Sequence, residues 1–359
     1  MKLIISFLIA LILTAAPCVA VSTPTQPHPP VKQPLTEITF AYFPLAVPIS
    51  VLGETMQRDR LLQKKLARLG FQLTFKPFAK GSDVLPLIRN GRIAGVSFSD
   101  MPAIEAAATS DMLILGFVKQ SYAAVVAPSG TRIHNLRKKR IGNAHGSTSH
   151  YALLQALDSA GLSEKDVTLV PLEVHQMLAA LENGDIDAFA AWEPTPTAAL
   201  KKHPGKFVQI NRQASYAFFL LSGALARSNP DVAREISAAL VRAIYWLKDS
   251  NDNLLSASRW AYAGVKNFTG KPSLLNEHDI AGVTRNDLLN IAGAPTVPRQ
   301  LTRNGSLLFK EFDFLQRSGK LPANASRRRL EKSFADALLR EVLGAPARYG
   351  LNRFDYELR

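Results

Sequence analysis

The sequence predicts an α/β protein of two lobes, each a mostly parallel sheet flanked by helices, with a helical C-terminal region. Three observations predict it. Short apolar runs alternate with helix-patterned stretches from Glu37 onward, which is the β–α–β order of parallel sheets. The same grammar starts again near Arg140. With 359 residues, 47% of them hydrophobic and 20% charged, the chain has core enough for two lobes rather than one.

The first residues stand outside that pattern. Met1-Lys2 is a short basic start, Leu3 to Ala16 is almost wholly apolar, and Ala20 offers a small residue for cleavage. Residues 1–20 therefore read as a secretory signal peptide, too short and wrongly flanked for a membrane anchor. No later apolar run reaches the length of a span, so an exported, soluble mature protein is expected. Cys18 is the single cysteine and lies in the leader. Cleavage after Ala20 leaves no thiol for a disulfide, a nucleophile or a thiolate metal site. Lipid attachment at Cys18 is the alternative; the tether that follows suits it and Pro17 does not. Residues 21–36 are that tether, rich in proline and expected to be disordered.

The folded body then runs in order. "EITFAYF" (37–43) is a strand, and 50–69 is a helix closed by Gly70. "FQLTFKPF" (71–78) is a strand, followed by a short helix over 82–90. "RIAGVSF" (92–98) is a third strand, with a short helix from Asp100. "MLILGFV" (112–118) and "YAAVVAP" (122–128) read as two strands with little between them. The middle third gives strands at 140–143, 167–172 and 187–192, alternating with helices over 147–160, 174–183 and 195–201. "KFVQI" (206–210) and "YAFFLLSGALA" (216–226) return to strand. After Asn229-Pro230 the chain turns helical. Val232, Ile236, Leu240, Ile244 and Leu247 fall on one stripe there.

Ligands of open parallel sheets sit outside the carboxyl ends of the strands. That directs the search to 43–46, 79–82, 98–101, 144–151 and 192–195. In "GNAHGSTSHYALL", Gly146 makes a turn and Ser147, Thr148 and Ser149 sit where a helix start leaves backbone N–H groups unpaired, an anion site that needs no metal. Ser147 or Thr148 could equally cap its own helix. A nucleotide loop is excluded, because Ser147 stands where its lysine would be. Lys80, beside Gly81 and Ser82, is a second candidate anion donor. Ser99 and Asp100 end the next strand, Asp100 being a helix cap or a ligand contact. Trp192 and Glu193 precede Pro194: the tryptophan could wall a ligand and the carboxylate receive an ammonium, or they are core and cap. Tyr42 and Phe43 could line a cleft.

Catalytic and metal chemistry find no support. His145 and His150 lie five apart, too far for one helix face, and nothing completes a tetrahedral set. No pair of carboxylates is placed for acid–base work, so no enzyme and no cofactor are expected. "RKKR" (137–140) and "RRR" (327–329) read as solvated faces. The net charge of +14 biases the protein toward anionic ligands or an acidic membrane face without naming one. Nucleic acid is not expected as a partner of an exported protein.

The block "GSTSHYALLQALDSAGLSEKDVTLVPLEVHQMLAALENGDIDAFAAWEP" (146–194) resembles the periplasmic substrate-binding proteins of the nitrate/sulfonate/taurine class of ABC importers. "SFSDMPAIEAAA" (97–108) is similar to that family's first-lobe turn, with Ser99 in place of a glycine. "LLFKEFDFLQRSGKLP" (307–322) looks like its C-terminal helices. The basic segment before residue 140 lacks the family's glycine, a change in a loop. The resemblance implies a type II periplasmic-binding-protein fold. Lobe 1 is then 37–125 plus 225–345, lobe 2 is 126–224, and 346–359 is a C-terminal tail. Contacts are implied from Phe43 and Pro44, Lys80 to Ser82, Ser99 and Asp100, Gly146 to Ser149, and Trp192 and Glu193. The implied role is a monomeric periplasmic receptor. It takes a small anion or zwitterion, sulfonate-, taurine- or nitrate-like, between its lobes and delivers it to an inner-membrane permease. Two alternatives remain: an enzyme on the same scaffold, of the thiamine-pyrimidine or menaquinone-pathway type, and a ligand-sensing partner of a signalling protein.

Overall fold

Eight strands make one sheet. They are β1 (Thr36–Tyr42), β2 (Phe71–Pro77), β3 (Gly95–Ser99), β4 (Met112–Pro128), β5 (Arg140–Asn143), β6 (Thr168–Pro171), β7 (Ala188–Trp192) and β8 (Phe207–Ser222). Their order is β2-β1-β3-β8-β4-β7-β5-β6. A computed structural model describes Leu35–Leu358. The expected signal peptide, Cys18 and the tether as far as Pro34 lie outside the described residues. β1 pairs parallel with β2 and β3, and β5 parallel with β6 and β7. The antiparallel pairings all involve the central ribbon of β4 and β8. The predicted α/β fold, a largely parallel sheet flanked by helices with a helical C-terminal region, is what the chain adopts, its strands joined in one continuous sheet.

The helices between the strands are α1 (Ile49–Gln57), α2 (Arg60–Arg68), α3 (Leu85–Arg89), α4 (Asp100–Thr109), α5 (Thr148–Ser159), α6 (Val174–Glu182) and α7 (Thr195–Lys202). After β8 come α8 (Gly223–Ser228), α9 (Pro230–Asp249), α10 (Asn251–Thr269) and α11 (Glu277–Thr284). The last are α12 (Arg299–Thr302), α13 (Leu307–Arg317), α14 (Arg327–Ser333), α15 (Asp336–Gly344) and α16 (Pro346–Tyr349). The stripe predicted on α9 is buried throughout: Val232, Ile236, Leu240, Ile244 and Leu247.

Four expectations need correction. The segments 112–118 and 122–128 are one strand, as are 206–210 and 216–222. Lys119, Gln120 and Ser121 look like a turn in sequence, but they pair with Ala217, Tyr216 and Ser215, so the ladder continues through them. Residues 223–226 are helical, because Ser222 caps α8 by accepting from the Leu225 N–H. The helix expected over 50–69 breaks at Arg58-Asp59, where the Asp59 carboxylate caps α2 through the Leu62 N–H, 2.9 Å away. The helix over 82–90 is a 3₁₀ turn (Gly81–Asp83) followed by α3, with Pro86 at its second position.

The tail packs on the body. Tyr349, Leu351 and Tyr356 are buried, and Tyr356 bridges to Asp59. Beneath them Arg242 reaches Asp59 Oδ2 at 2.7 Å and the Tyr349 carbonyl at 2.9 Å. Ends of the parallel strands from both halves of the sheet, at residues 43, 99, 144 and 193, meet across this fold.

Candidate ligand site at the facing strand ends

The turn after β5 fixes the start of α5. Gly146 takes φ +71°, a left-handed conformation that favours glycine, and Ser82 lies 3.3 Å from where a Cβ would stand. Ser147 is the N-cap: its hydroxyl accepts from the His150 N–H at 3.3 Å and donates to the Ala144 carbonyl at 2.6 Å. Ser149, fully buried, holds its hydroxyl 3.0 Å from that of Ser147. Capping therefore uses one donor only. The backbone N–H groups of Thr148 and Ser149 have no acceptor among the described residues. A twelve-residue helix thus ends on two free donors, with the positive end of its dipole behind them.

His150 holds the turn from behind. Its Nδ1 accepts from the Gly146 N–H at 3.2 Å, which leaves Nε2–H to donate to Glu164 at 2.8 Å. Burial holds the imidazole below its usual range despite Glu164, so it stays neutral. His145 stacks on it with ring centroids 4.6 Å apart. The five-residue spacing suggested separation, but His145 precedes the Gly146 turn and its ring folds back. Among the described residues no group of three potential metal ligands forms.

Several contacts join the two halves at the strand ends. The Trp192 indole N–H donates to the Leu45 carbonyl at 3.2 Å, and the Val47 N–H to the Glu193 carbonyl at 3.3 Å. Thr148 donates to Asp100 Oδ1 at 2.6 Å. Lys80 pairs with Glu173 at 2.5 Å, and the Ser82 hydroxyl meets the His145 carbonyl at 3.5 Å. The halves are drawn together, leaving a cavity of about 30 Å³.

Seven of the residues singled out in the sequence line that cavity: Phe43, Lys80, Gly81, Ser99, Ser147, Thr148 and Trp192. Ala46, Ile49 and Phe98 add apolar walls. Gly81 is needed for close approach, since a Cβ there would stand 2.6 Å from Pro102. Ser82, Gly146 and Ser149 flank the cavity through the contacts above. The others lie elsewhere. Tyr42 packs over Gly53 beside Glu54, where burial and the carboxylate push its phenol up to about 12. Pro44 faces a second cavity across the 43–50 segment. Glu193 is half-buried, and its carboxylate accepts from the Thr197 N–H in the first turn of α7 at 3.4 Å. Lys80 is no free anion donor. Partial burial works against its charge, yet Glu173 outweighs that and lifts its pKa.

Beneath the cavity lies a polar floor built from Asp100, singled out in the sequence, and from Lys119, which sequence reasoning missed. Asp100 is fully buried and accepts from Thr148, the Tyr216 N–H at 2.9 Å and the Met101 N–H at 3.0 Å. Burial pushes its carboxyl up, and these hydrogen bonds pull against that. Lys119, on β4 and fully buried, donates to the Ser215 hydroxyl at 3.3 Å, its one hydrogen-bond partner among the described residues. Burial pushes its ammonium down, opposed by Asp100, Asp287 and Glu193. Asp287 accepts from Ser121. The one signal for Lys119 was a charge lodged between two apolar runs.

The same fold recurs among known proteins. Residues 66–261 match the NMT1-like family. The chain is 24% identical to the taurine-binding periplasmic protein of Escherichia coli K12, over 80% of this chain and 89% of that one. Among solved structures it resembles the alkanesulfonate-binding protein SsuA from Xanthomonas axonopodis pv. citri bound to MOPS. The TM-score is 0.63 at 22% identity, covering 82% of this chain and 97% of that one. It also resembles the periplasmic nitrate-binding protein NrtA from Synechocystis PCC 6803, with TM-score 0.61 at 16% identity, covering 88% and 91%. The desulfurization enzyme DSZB shares the fold, with TM-score 0.59 at 16% identity, covering 86% and 99%. The family match alone takes in more than half of the sequence, running from α2 into α10, and so the chain belongs to the NMT1-like family.

Proposed function

We propose that the protein is an exported solute-binding receptor of an ABC importer. It holds a small organic acid, sulfonate- or taurine-like, between a lobe made of 37–125 plus 225–345 and a lobe made of 126–224. Homology to periplasmic sulfonate-, taurine- and nitrate-binding proteins supports the solute-binding role. One observation carries the choice of an acid: the pair of free N–H groups at the start of α5, with Ser147 and Thr148 lining the cavity. Phe43, Phe98 and Trp192 on the other walls favour an organic body over bare nitrate. The buried Asp100 carboxylate below suits a ligand that also carries an amino group.

The mechanism is capture and closure. A cavity of 30 Å³ is about one water's share of liquid volume, so the halves must part to admit any organic sulfonate. Re-formation of the Trp192–Leu45 and Thr148–Asp100 contacts then shuts the site. The closed form is delivered to a membrane permease, and no bond is made or broken. The protein works as a periplasmic monomer.

Calorimetry with taurine, ethanesulfonate and nitrate tests this reading. A ligand at a hundred times its dissociation constant adds about 2.7 kcal/mol to stability. Taurine or ethanesulfonate should bind with simple saturation, and Ser147→Ala with Thr148→Val should weaken binding at least tenfold. No binding of any small anion, or product formed from a bound sulfonate, overturns the proposal.

A further inference from the structure

A larger cavity lies on the opposite face of the 43–50 segment. Its volume is about 220 Å³, half again that of an engineered apolar cavity of about 150 Å³ that binds benzene. Phe43, Ala46 and Ile49 face the first cavity, while Pro44, Leu45, Val47 and Ser50 face this one. Its walls come from α1, the starts of α6 and α7, α10 and the 271–274 loop. Both halves of the sheet thus contribute.

The chemistry of this lining is specific. Most of it is apolar, with Leu45, Val47, Val265 and Ile280 among the walls. Two helices of eight residues or more begin here, and the backbone N–H groups of Val174, His175 and Thr195 have no acceptor among the described residues. Ser50 is fully buried, yet its hydroxyl has no hydrogen-bond partner. Native structures rarely leave such a group unmatched. His175 Nδ1 is likewise unmatched. Lys271 stands exposed on the rim, near enough to His175 for its charge to lower the imidazole pKa alongside burial. It forms no ion pair among the described residues.

We infer that this cavity is a second ligand site, for a compact organic acid with an apolar body and one anionic group. The acid group meets the free N–H donors and Lys271, the body fills the apolar wall, and the Ser50 hydroxyl gains a partner. An uncharged hydrocarbon would leave the Ser50 hydroxyl and the N–H groups unsatisfied. A small inorganic anion would leave the wall unfilled. Because the lining spans both halves, the occupant favours their closed arrangement.

Titration calorimetry of the purified mature protein with benzoate and benzenesulfonate tests this site. Acetate and benzyl alcohol serve as controls lacking the body or the charge. Benzoate or benzenesulfonate should bind at least tenfold more tightly than either control. Lys271→Glu, at an exposed position, should weaken the aromatic acid at least fivefold and leave benzyl alcohol unchanged. Val265→Trp, which fills the cavity, should abolish aromatic binding; if that variant fails to unfold cooperatively, Leu274→Glu at the exposed mouth, which repels the acid group, replaces it. Ser147→Ala, in the first cavity, should leave benzoate binding intact, so the outcome is separable from the sulfonate reading. No aromatic-acid binding, binding unaffected by Lys271→Glu, or binding lost with Ser147→Ala overturns the inference.

Discussion

Burial of charge dominates at the level of single residues. Glu311 on α13 is buried, its Oε1 has no hydrogen-bond partner, and burial together with Asp100 pushes its carboxyl well above the usual range. The folded state then holds a proton that the unfolded chain releases above about pH 4.3. Stability contributed by this group is present at low pH and is lost as pH rises. Glu311→Gln, neutral at every pH, should therefore leave stability unchanged near pH 4 and raise it by pH 9. Urea denaturation at the two values checks this; a variant less stable at both would show that Glu311 is ionised in the fold. Arg242 and Asp59 are a different case, a fully buried pair joined at 2.7 Å. Asp59→Ala strands the guanidinium and should cost roughly 3–5 kcal/mol, read as a drop in the urea midpoint. None of this was legible in the sequence. A glutamate or arginine at a helical position looks the same whether it meets water or core, and only tertiary packing decides.

Secondary-structure elements were more legible, for a physical reason. Strand ends, glycine turns and caps are local, so β5, α5 and the 188–192 strand follow closely from their own residues. The Gly146–Ser147 turn was open to two readings, cap or ligand donor, and the structure gives both: one hydroxyl caps while two N–H groups stay free. Lys80 was misread because its partner, Glu173, lies 93 residues away. The joined strands were missed because continuity of a ladder depends on the opposite strand, which no local pattern records. A cap's worth sets one expectation. Ser147→Ala removes the hydrogen bonds to His150 N–H and Ala144, and should cost about 1 kcal/mol of stability. Ser147→Asp, which keeps the acceptor, should recover most of it but repel an anionic solute. Thermal melts with and without taurine separate the two effects.

For the molecule as a whole, the proposed mechanism turns on an equilibrium between parted and closed halves. Lys80–Glu173 is a partly exposed bridge, so its contribution to closure is at most about 1 kcal/mol, roughly a fivefold shift in population. Lys80→Met should enlarge the unliganded radius of gyration in small-angle scattering, and saturating ligand should return it to the wild-type value. An unchanged radius would place the closing energy in the remaining contacts, among them Trp192–Leu45, Thr148–Asp100, Lys320–Glu164 and Lys201–Asp279. The excess of positive charge acts further out. Association with an acidic solute should slow as salt rises, while the dissociation rate stays nearly constant.

The ribbon of β4 and β8 has a further meaning for how the chain tolerates change. Side chains along a strand alternate between faces, so inserting or deleting one residue reverses every side chain beyond it. In a loop between lobes such a change would merely lengthen a tether. Here the ladder runs from Met112–Ser222 to Pro128–Phe207, and its three register shifts, at Ile114/Gly116, Phe117/Lys119 and Val125/Val126, leave the stretch from Lys119 to Val125 regular. A single inserted residue near Gln120 would rotate the far half of the sheet against the near one, and the α5 turn would no longer look toward Phe43 and Trp192. Length in this ribbon is therefore more constrained than composition: substitutions at its exposed positions should be absorbed, and single-residue insertions should not.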